Sequence, residues 1–435
     1  MTPEIKNRTD QIQRGVVPEG YKKTKAGILP ADWDVYILGD CLRRIERPVE
    51  VKPDELYTQI GIRSHGKGLF YKEPVTGALL GNKSVFWIEP NCFVLNIVFA
   101  WEQAIGKTTQ SEVGMIGSHR FPMYRPVNDA VNIDYLISYF LTKRGMDILK
   151  AASPGGAGRN KTLGQDRFLK SKIVLPPIEE QQKIAETLTI QDKVIELKEK
   201  LIAEKQRQKK YLMQQLLTGK ARLPGFNEEW KKKRFCEAFT FGTTNTFSRE
   251  YMCKDSAGVK NIHYGDILVK YREILILSEQ EIPSLLSEVS SKITSFVDDG
   301  DVVIADTAED LTAGKVVEIQ KTQDKKVAAG LHTMLCKPMK GCFASGWLGY
   351  YMNSEYYHKQ LIPYISGVKV MSISKGNIVK TNILVPSIEE QTAIVEVLST
   401  ADHELDLLRQ DIKQEKQKKK ALMQLLLTGI VRVSI

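Results

Sequence analysis

The sequence lacks the features that mark membrane-spanning, exported, disulfide-bonded or metal-binding chains. It has no run of about 18 apolar residues that could cross a membrane, and residues 1–6 have no apolar core of the kind that a signal peptide needs. Its six cysteines form no CxxC pair, which favours reduced thiols in the cytoplasm over disulfides or zinc. Its six histidines show no metal-ligand spacing, so we expect no metal site.

Motifs of enzymes that act on nucleic acids are also absent or broken. An amino-methyltransferase loop needs Asn or Asp before a Pro-Pro pair and an aromatic residue after it, and Pro176-Pro177 has neither. A near-match to a phosphate-binding loop over 77–84 has Asn82 where the second glycine is required. No Asp/Glu-x-Lys motif follows Pro53-Asp54, as a restriction-type nuclease would need. We therefore expect this chain to carry no active site.

Basic residues outnumber acidic ones, with 62 Lys and Arg against 52 Asp and Glu, a net charge of +10 and a pI near 9.0. This excess favours a polyanionic partner. It does not require one, because many basic soluble proteins bind no nucleic acid.

One stretch of the chain occurs twice. Residues 175–219 begin LPPIEEQ and end LMQQLLTG, and residues 385–429 begin VPSIEEQ and end LMQLLLTG, at an offset of 210 from residue 175 to 385 without a gap. Each copy predicts one long helix. Pro177 suits a first turn, Ser387 with Glu390 spells a capping box, and each copy ends on a glycine that suits a C-terminal cap.

Apolar residues recur every seven positions in both copies, which is typical of a coiled-coil seam. The seam comprises Leu188, Ile195, Ile202, Leu398, Leu405 and Ile412. It becomes charged over 204–210 and 414–420, and a lone helix this polar has little reason to stay folded. We therefore predict that the two helices pack on each other as a rod of about 60 Å. The alternative is that each helix merely caps its own domain.

The rest of the chain repeats more loosely, in the order globule, rod, globule, rod. The predicted segments are an N-terminal arm or extended lead-in (1–28), a first globular segment that we call head 1 (29–174), a helix (175–222), head 2 (223–384) and a second helix (385–435). Short β-rich runs between turns and single helices at 132–150 and 346–364 predict an α+β fold. Among these runs, 265–269 and 300–304 are predicted as turn–strand units.

Taken together, these motifs resemble the specificity subunit of a Type I restriction–modification system. The marks are residues 20–33, the two helix starts at 175–181 and 386–391, and the two helix ends at 212–219 and 427–429. The resemblance covers nearly the whole chain, although the heads resemble an architecture more than particular residues. It implies two target recognition domains, separated by two long helices packed as an antiparallel coiled coil with a pseudo-two-fold internal repeat.

The resemblance also implies function and partners. Each head would read one half of a bipartite site in double-stranded DNA, and the helices would set the gap and dock two methyltransferase subunits, with restriction/translocase subunits joining later. The chain itself would be non-catalytic, bind no cofactor and work in the cytoplasm of a prokaryote. The partner methyltransferases would use S-adenosylmethionine, and the motor subunits would use ATP and magnesium.

Candidate DNA contacts are basic, polar or aromatic residues in loops, because Arg, Lys, Asn and Gln are the commonest readers of phosphates and base edges. In head 1 they are Arg63, His65, Lys67, Lys107, Gln110, His119, Arg120, Arg159, Asn160 and Lys161. In head 2 they are Lys270, Tyr271, Arg272, Lys315, His332 and Lys369. Arg159 and Lys369 are preferred, because both follow a Gly-containing loop at the same place in the repeat.

Two further questions remain open at this stage. The helix ends could dock methyltransferase subunits or belong to the chain's own core; the residues concerned are Leu212, Met213, Leu422 and Met423. As alternatives to the specificity subunit, the chain could be a freestanding DNA methyltransferase or a coiled-coil scaffold that binds only protein.

Overall fold

The computed structural model describes residues 2–81, 83–155, 161–254, 258–323 and 325–433. It divides into two compact units, of which unit 1 comprises 1–199 with 411–435 and unit 2 comprises 200–410. The divisions fall inside two 39-residue helices, long helix 1 (Ile178–Leu216) and long helix 2 (Ile388–Leu426). Each unit therefore holds one head and part of both long helices.

Within each unit the two long helices run antiparallel. In unit 1, Gln191 Nε2 donates to Glu415 at 2.6 Å, whereas Lys198 further along contacts Asp411 at 2.7 Å. In unit 2, Lys205 pairs with Glu404 and Lys209 with Asp402, both at 2.7 Å. Rising numbers on one helix thus meet falling numbers on the other. Of the predicted seam, Leu188, Ile195, Leu398, Leu405 and Ile412 are buried and Ile202 is half-buried.

Head 1 is built around a four-stranded antiparallel sheet in the order Ile105–Lys107, Phe93–Leu95, Met123–Pro126, Leu42–Ile45. The other strands of unit 1 form two-stranded pairs: Tyr21–Thr24 with Gly27–Pro30, Asp34–Ile37 with Lys172–Leu175, Leu56–Tyr57 with Val75–Thr76, Ile60–Ile62 with Leu69–Tyr71, and Val85–Trp87 with Ile116–Ser118. Its α-helices besides the long ones are Pro3–Gln13, Leu38–Cys41, Gly77–Leu80, Ile133–Phe140, Lys143–Ala152 and Gln165–Leu169, and its 3₁₀ turns are Ala100–Glu102 and Gln110–Glu112.

Head 2 contains a five-stranded sheet in the order Phe239–Phe241, Thr333–Pro338, Val302–Ala305, Val316–Gln320, Ile274–Ile276. A second sheet orders Met252–Cys253, Ser284–Leu285, Lys260–Ile262 and Val327–Ala329, and two pairs join Lys231–Arg234 to Asn382–Val385 and Thr307–Ala308 to Met371–Ser372. The remaining α-helices are Phe235–Ala238, Tyr264–Val269, Ser287–Ser290, Trp347–Met352, Glu355–Leu361 and Lys375–Ile378, with 3₁₀ turns at Arg249–Tyr251 and Ile362–Tyr364.

The core of each head is completed by the end of a long helix. Leu426 and Leu427 belong to the cluster of head 1 that contains Trp33, and Leu216 and Leu217 belong to the main cluster of head 2. Full burial of a leucine contributes about 1.5–3 kcal/mol, so these contacts fasten each helix end firmly. The four residues left open above pack partly buried against the same clusters, as part of the chain's own core: Leu212, Met213, Leu422 and Met423.

The structure confirms the α+β class and the doubled arrangement of head and antiparallel helix, and it corrects three local predictions. The arm is not wholly extended, because Pro3–Gln13 is a helix that starts at an N-cap, Thr2. Each predicted head helix is two helices, because Thr142 and Ser354 are extended and cap a second helix with their hydroxyls. Residues 265–269 belong to a helix, not a strand, whereas 302–305 is a strand as expected.

Candidate nucleic-acid interface

A buried carboxylate at the start of each long helix ties that helix to its head. In unit 1 Glu180 accepts hydrogen bonds from Trp33 Nε1 at 2.9 Å and from Arg432 Nε at 2.6 Å. In unit 2 the repeat places Glu390 in the same role, with Trp230 Nε1 at 2.9 Å and Arg222 Nε at 2.5 Å. We call each set a clamp. It joins the start of one long helix, the chain segment after the other and the first tryptophan of a head, so the head is held in a fixed orientation within its unit.

The glutamine after each clamp carboxylate is buried and serves the backbone. Gln181 accepts from the Asn132 N–H at 2.9 Å and donates to the Pro176 carbonyl at 2.9 Å. Gln391 accepts from the Ala344 N–H and donates to the Pro386 carbonyl, both at 2.9 Å. The repeated Glu-Glu-Gln sequence therefore forms a joint between each long helix and its head.

Head 1 brings three candidates together on one turn. Arg63, His65 and Lys67 are exposed between the strands Ile60–Ile62 and Leu69–Tyr71. The Arg63 guanidinium lies 5.1 Å from the Phe70 ring centre and donates to the Leu69 carbonyl at 3.0 Å, which holds it against the hairpin. A turn that presents two cations and an imidazole in this way suits contacts with phosphates and base edges.

The other candidates of head 1 are scattered. His119 and Arg120 are exposed on a turn after Ile116–Ser118, and Gln110 is exposed on a 3₁₀ turn. Lys107 is half-buried and pairs with Asp134 at 2.7 Å, so its charge is already partnered. Lys161 is half-buried with its ammonium 5.3 Å from the Trp101 ring centre. Arg159 and Asn160 lie outside the described residues.

In head 2 the structure argues against three candidates. The Tyr271 side chain is only 2% exposed and lies in a hydrophobic cluster, so it cannot meet a base. Arg272 makes a bidentate ion pair with Asp406 of long helix 2, one bond measuring 2.6 Å. Lys315 is half-buried and donates to the Leu268 carbonyl at 2.9 Å, and burial lowers the pKa of its ammonium. All three side chains therefore make tertiary contacts that could not be read from the sequence.

His332 and Lys369 remain accessible. His332 is exposed in the left-handed region, at φ 51°, and its Nδ1 lies 3.5 Å from Asp306 and 3.4 Å from the Thr307 hydroxyl. Lys369 is exposed on a loop that Ser366 and Ser372 close with two backbone hydrogen bonds of 3.1 and 2.9 Å. In head 1 an isolated bridge pairs Gly155 with Lys161, and the candidate Arg159 lies outside the described residues. Lys270 is also exposed.

The sequence reading missed several accessible basic residues of head 2 that share one cleft with Lys270. They are Arg249, Lys254, Lys260, Lys325 and Lys326. In the sequence these residues show no common pattern apart from the adjacent lysines at 325 and 326. The fold brings the segments near 250, 260 and 325 together.

No His, Cys, Asp or Glu cluster among the described residues has the make-up of a metal site. Within the same part of the chain, no helix is long and apolar enough to cross a membrane.

Comparison with known proteins gives a family. A family model described as the Type I restriction modification DNA specificity domain matches residues 89–206 and 227–416, together more than half of the chain. The chain is 24% identical over 438 residues to the Type I restriction enzyme MjaVIII specificity subunit of Methanocaldococcus jannaschii, covering 95% of this chain and 96% of that one. The putative MjaX specificity subunit of the same organism is 23% identical, with 95% and 97% covered.

Solved structures show the same fold. The HsdS subunit from Thermoanaerobacter tengcongensis matches with a TM-score of 0.52 at 18% identity, covering 93% of this chain and 98% of that one. A chain from a study of complex assembly and conformational transition in the type I R-M system matches with a TM-score of 0.61 at 18% identity, with 93% and 99% covered.

The first match begins inside head 1 and ends within long helix 1, and the second spans most of head 2 and of long helix 2. The chain therefore belongs to the Type I restriction–modification DNA specificity family, the non-catalytic subunits that confer DNA sequence specificity.

Proposed function

We propose that head 1 and head 2 each read one half of a bipartite target in double-stranded DNA, while the paired long helices set the gap between the half-sites. The observation that carries this proposal is the duplicated clamp. Two heads of different sequence are each fastened by the same Glu, Trp and Arg to an antiparallel helix pair. The repeated clamp favours the same mode of attachment for both heads. Their different sequences favour two different half-sites.

The partners follow from the same proposal. The chain binds DNA together with two methyltransferase subunits, which supply S-adenosylmethionine chemistry, and with restriction/translocase subunits, which use ATP and magnesium. The chain holds no cofactor of its own, and the complex works in the cytoplasm of a prokaryotic cell. The helix ends at Leu212, Met213, Leu422 and Met423 pack against the heads, so the docking surface for methyltransferases lies on the outward faces of the long helices.

The experiment is to reconstitute the chain with its methyltransferase partner and to sequence the methylated sites. Inserting about four residues, roughly one helical turn, after Ala203 should change the gap length and leave both half-sites unchanged. A matched control replaces residues 204–207 with four alanines at constant length and should leave the gap unchanged. Altered half-sites with an unchanged gap would contradict the proposal.

A further inference from the structure

One loop of head 2 holds apolar side chains out in solvent. Val368 is 96% exposed, more than any other large apolar residue that the structure describes, and Val370 is 54% exposed. The exposed Lys369 stands between them in the sequence. We call residues 366–372 the apolar hairpin. Single exposed valines are common on protein surfaces, so the case for a function depends on how the apolar hairpin is built.

The base of the apolar hairpin is anchored to the head on both sides. Ser366 and Ser372 exchange two backbone hydrogen bonds, and Ser372 also pairs with Thr307 of a neighbouring strand. The next residue, Ile373, is buried in the main cluster of head 2, and Ile365 packs against the same cluster. The two ends of the apolar hairpin are therefore fixed by the core of head 2.

The tip has a defined backbone as well. Gly367 has φ 151°, and a Cβ at this position would lie 1.9 Å from the Val370 carbonyl oxygen. Only glycine tolerates so close an approach of the backbone. The tip is thus folded tightly on itself while the Val368 side chain stays in solvent. An apolar group that is ordered before binding loses less conformational freedom when it binds.

The size and chemistry of the apolar hairpin fit the major groove of DNA. That groove is about 12 Å wide and admits a two-stranded β-ribbon. The apolar group that a base pair presents there is the 5-methyl group of thymine, which apolar side chains contact. The phosphates that border the groove would attract Lys369. Lysine on phosphate carries no sequence information, whereas a valine on this methyl group separates thymine from cytosine.

We propose that Val368 determines the specificity of head 2 at one base pair, through apolar contact with the 5-methyl group of a thymine. The inference rests on the proposed function, because it takes head 2 to read a half-site, and it adds one selected base and the residue that selects it. It requires an A·T pair in the half-site of head 2. The equivalent loop of head 1 includes residues 156–160, which lie outside the described residues, so the inference concerns head 2 alone.

The test uses the full chain reconstituted with its methyltransferase partner and labelled duplexes that carry the target found by sequencing the methylated sites. Each thymine of the target is replaced in turn by uracil, which lacks only the 5-methyl group. At one position the wild-type complex should bind the uracil duplex about fourfold more weakly, the effect of leaving roughly one methyl group unburied.

Val368→Ser should bind the thymine and uracil duplexes equally at that position, with the affinity that wild type has for uracil. The two changes should not add, because each removes the same contact. Val368→Ile keeps an apolar side chain and should retain the preference for thymine. The matched control is Val269→Ser, at a valine of head 2 that is 87% exposed and lies outside the apolar hairpin; it should bind every duplex like wild type. If Val368→Ser keeps every uracil effect of wild type, the assignment is overturned.

Two parallel measurements separate the ways in which the inference can fail. If Val368→Ser weakens assembly with the methyltransferase and leaves the uracil effects unchanged, the apolar hairpin contacts protein and the inference is wrong. Sequence-specific methylation by the wild-type complex is measured on the same duplexes. If that methylation is present while Val368→Ser discriminates like wild type, only this inference fails; if it is absent, the proposed function fails.

Discussion

The two units fasten their heads with the same clamp but brace them differently. In unit 2 the nearly buried Lys209 ammonium joins Glu273 of the head at 3.1 Å and Asp402 of long helix 2 at 2.7 Å, and the Tyr350 hydroxyl donates to the same aspartate at 2.7 Å. The repeat places Lys419 and Asp192 at the equivalent positions of unit 1, where they pair with each other and no described residue of head 1 joins them. The clamp is therefore common to both units, whereas an ionic brace between the long helices and the head is seen, among the described residues, in unit 2.

The heads also differ along an equivalent edge strand. In unit 1 the strand Asp34–Ile37 exposes three apolar side chains, each 42% accessible: Val35, Tyr36 and Ile37. In unit 2 the matching strand Lys231–Arg234 consists of basic residues only. Lysines on an edge strand discourage pairing with other chains. The comparison shows that these two strands differ in exposed character while the clamps of the two heads are alike.

Removing a clamp carboxylate should have the largest effect. Glu390→Ala leaves Arg222 and Trp230 without their shared acceptor and should destabilise unit 2 by about 3 kcal/mol, as expected when one partner of a buried ion pair is deleted. Glu180→Ala should do the same in unit 1. Hydrogen exchange read peptide by peptide assigns each loss to its unit. The exposed neighbours provide controls, because Glu389→Ala and Glu179→Ala should change little. A loss spread equally over both units would contradict independent clamps.

Removing the cation of the ionic brace should destabilise unit 2 more than the equivalent substitution destabilises unit 1. Lys209→Met leaves two carboxylates near each other without their cation and should cost unit 2 about 2 kcal/mol. The equivalent Lys419→Met in unit 1 removes a more exposed pair, with side chains 24% and 57% accessible, and should cost less than about 0.5 kcal/mol. The same exchange measurement reports both, with exposed Lys210→Met as the control. Similar losses in the two units would show that the brace adds nothing.

The brace also predicts a pH dependence in unit 2. Burial opposes the charge on Glu273, but the Lys209 ammonium, a backbone hydrogen bond and the Lys315 charge together hold the pKa of Glu273 below its usual value. A depressed pKa gives stability that is complete above the unfolded value of about 4.3 and is lost as pH falls through the folded value. The stability gap between wild type and Lys209→Met should therefore shrink on acidification from about pH 6 to about pH 3. A constant gap would exclude this coupling.

Contacts on the two matching loops should have moderate effects on DNA binding. Arg159→Ala and Lys369→Ala each remove one cation and should weaken retention of a target duplex by about three- to tenfold while assembly with methyltransferase subunits survives. Binding of the two variants to duplexes in which one half-site is altered shows which half-site each loop contacts. Lys340→Ala, an exposed lysine elsewhere in head 2, is the control. Unchanged retention by both loop variants would refute the assignment.

The smallest effect is expected at Tyr271, whose buried hydroxyl has no hydrogen-bond partner among the described residues. Tyr271→Phe should change the free energy of unfolding by less than about 0.5 kcal/mol and leave DNA affinity unchanged. In head 1, Tyr57→Phe should cost about 1 kcal/mol, because that hydroxyl accepts from the Lys52 N–H at 3.0 Å and donates to Glu55 at 3.1 Å. Calorimetry of both variants compares the two changes in free energy of unfolding. Weaker DNA binding by Tyr271→Phe would show that the Tyr271 hydroxyl contacts DNA after all.

The repeated features of the fold were predictable from the sequence because they depend on local patterns. The seven-residue period and the terminal caps predicted both long helices, and the structure has them at Ile178–Leu216 and Ile388–Leu426. The Thr2-Pro3 start of the arm helix is also a local signal, but the polarity of the segment obscured it. The roles of Glu180 and Glu390 were not readable, because their partners lie more than 140 residues away.

The candidate site was less predictable for the same reason. Arg272 and Lys315 look like loop cations in the sequence, and only the fold shows that they are used by Asp406 and by backbone carbonyls. Conversely, Arg249 and Lys325 have no local pattern in common, and the fold places them in one cleft. Charge on a loop predicts exposure reasonably well, but it does not predict which partner the charge already has.

The Arg432 clamp has a consequence for how the protein is made. Head 1 leaves the ribosome first, but its core needs Leu426 and Leu427, and its clamp needs residue 432. Unit 2 is a single stretch, 200–410, whose parts all emerge before that point. Head 1 is therefore translated first but completes its fold last. Until then its incomplete core exposes apolar surface, to which a nascent-chain chaperone would bind while the second half is synthesised.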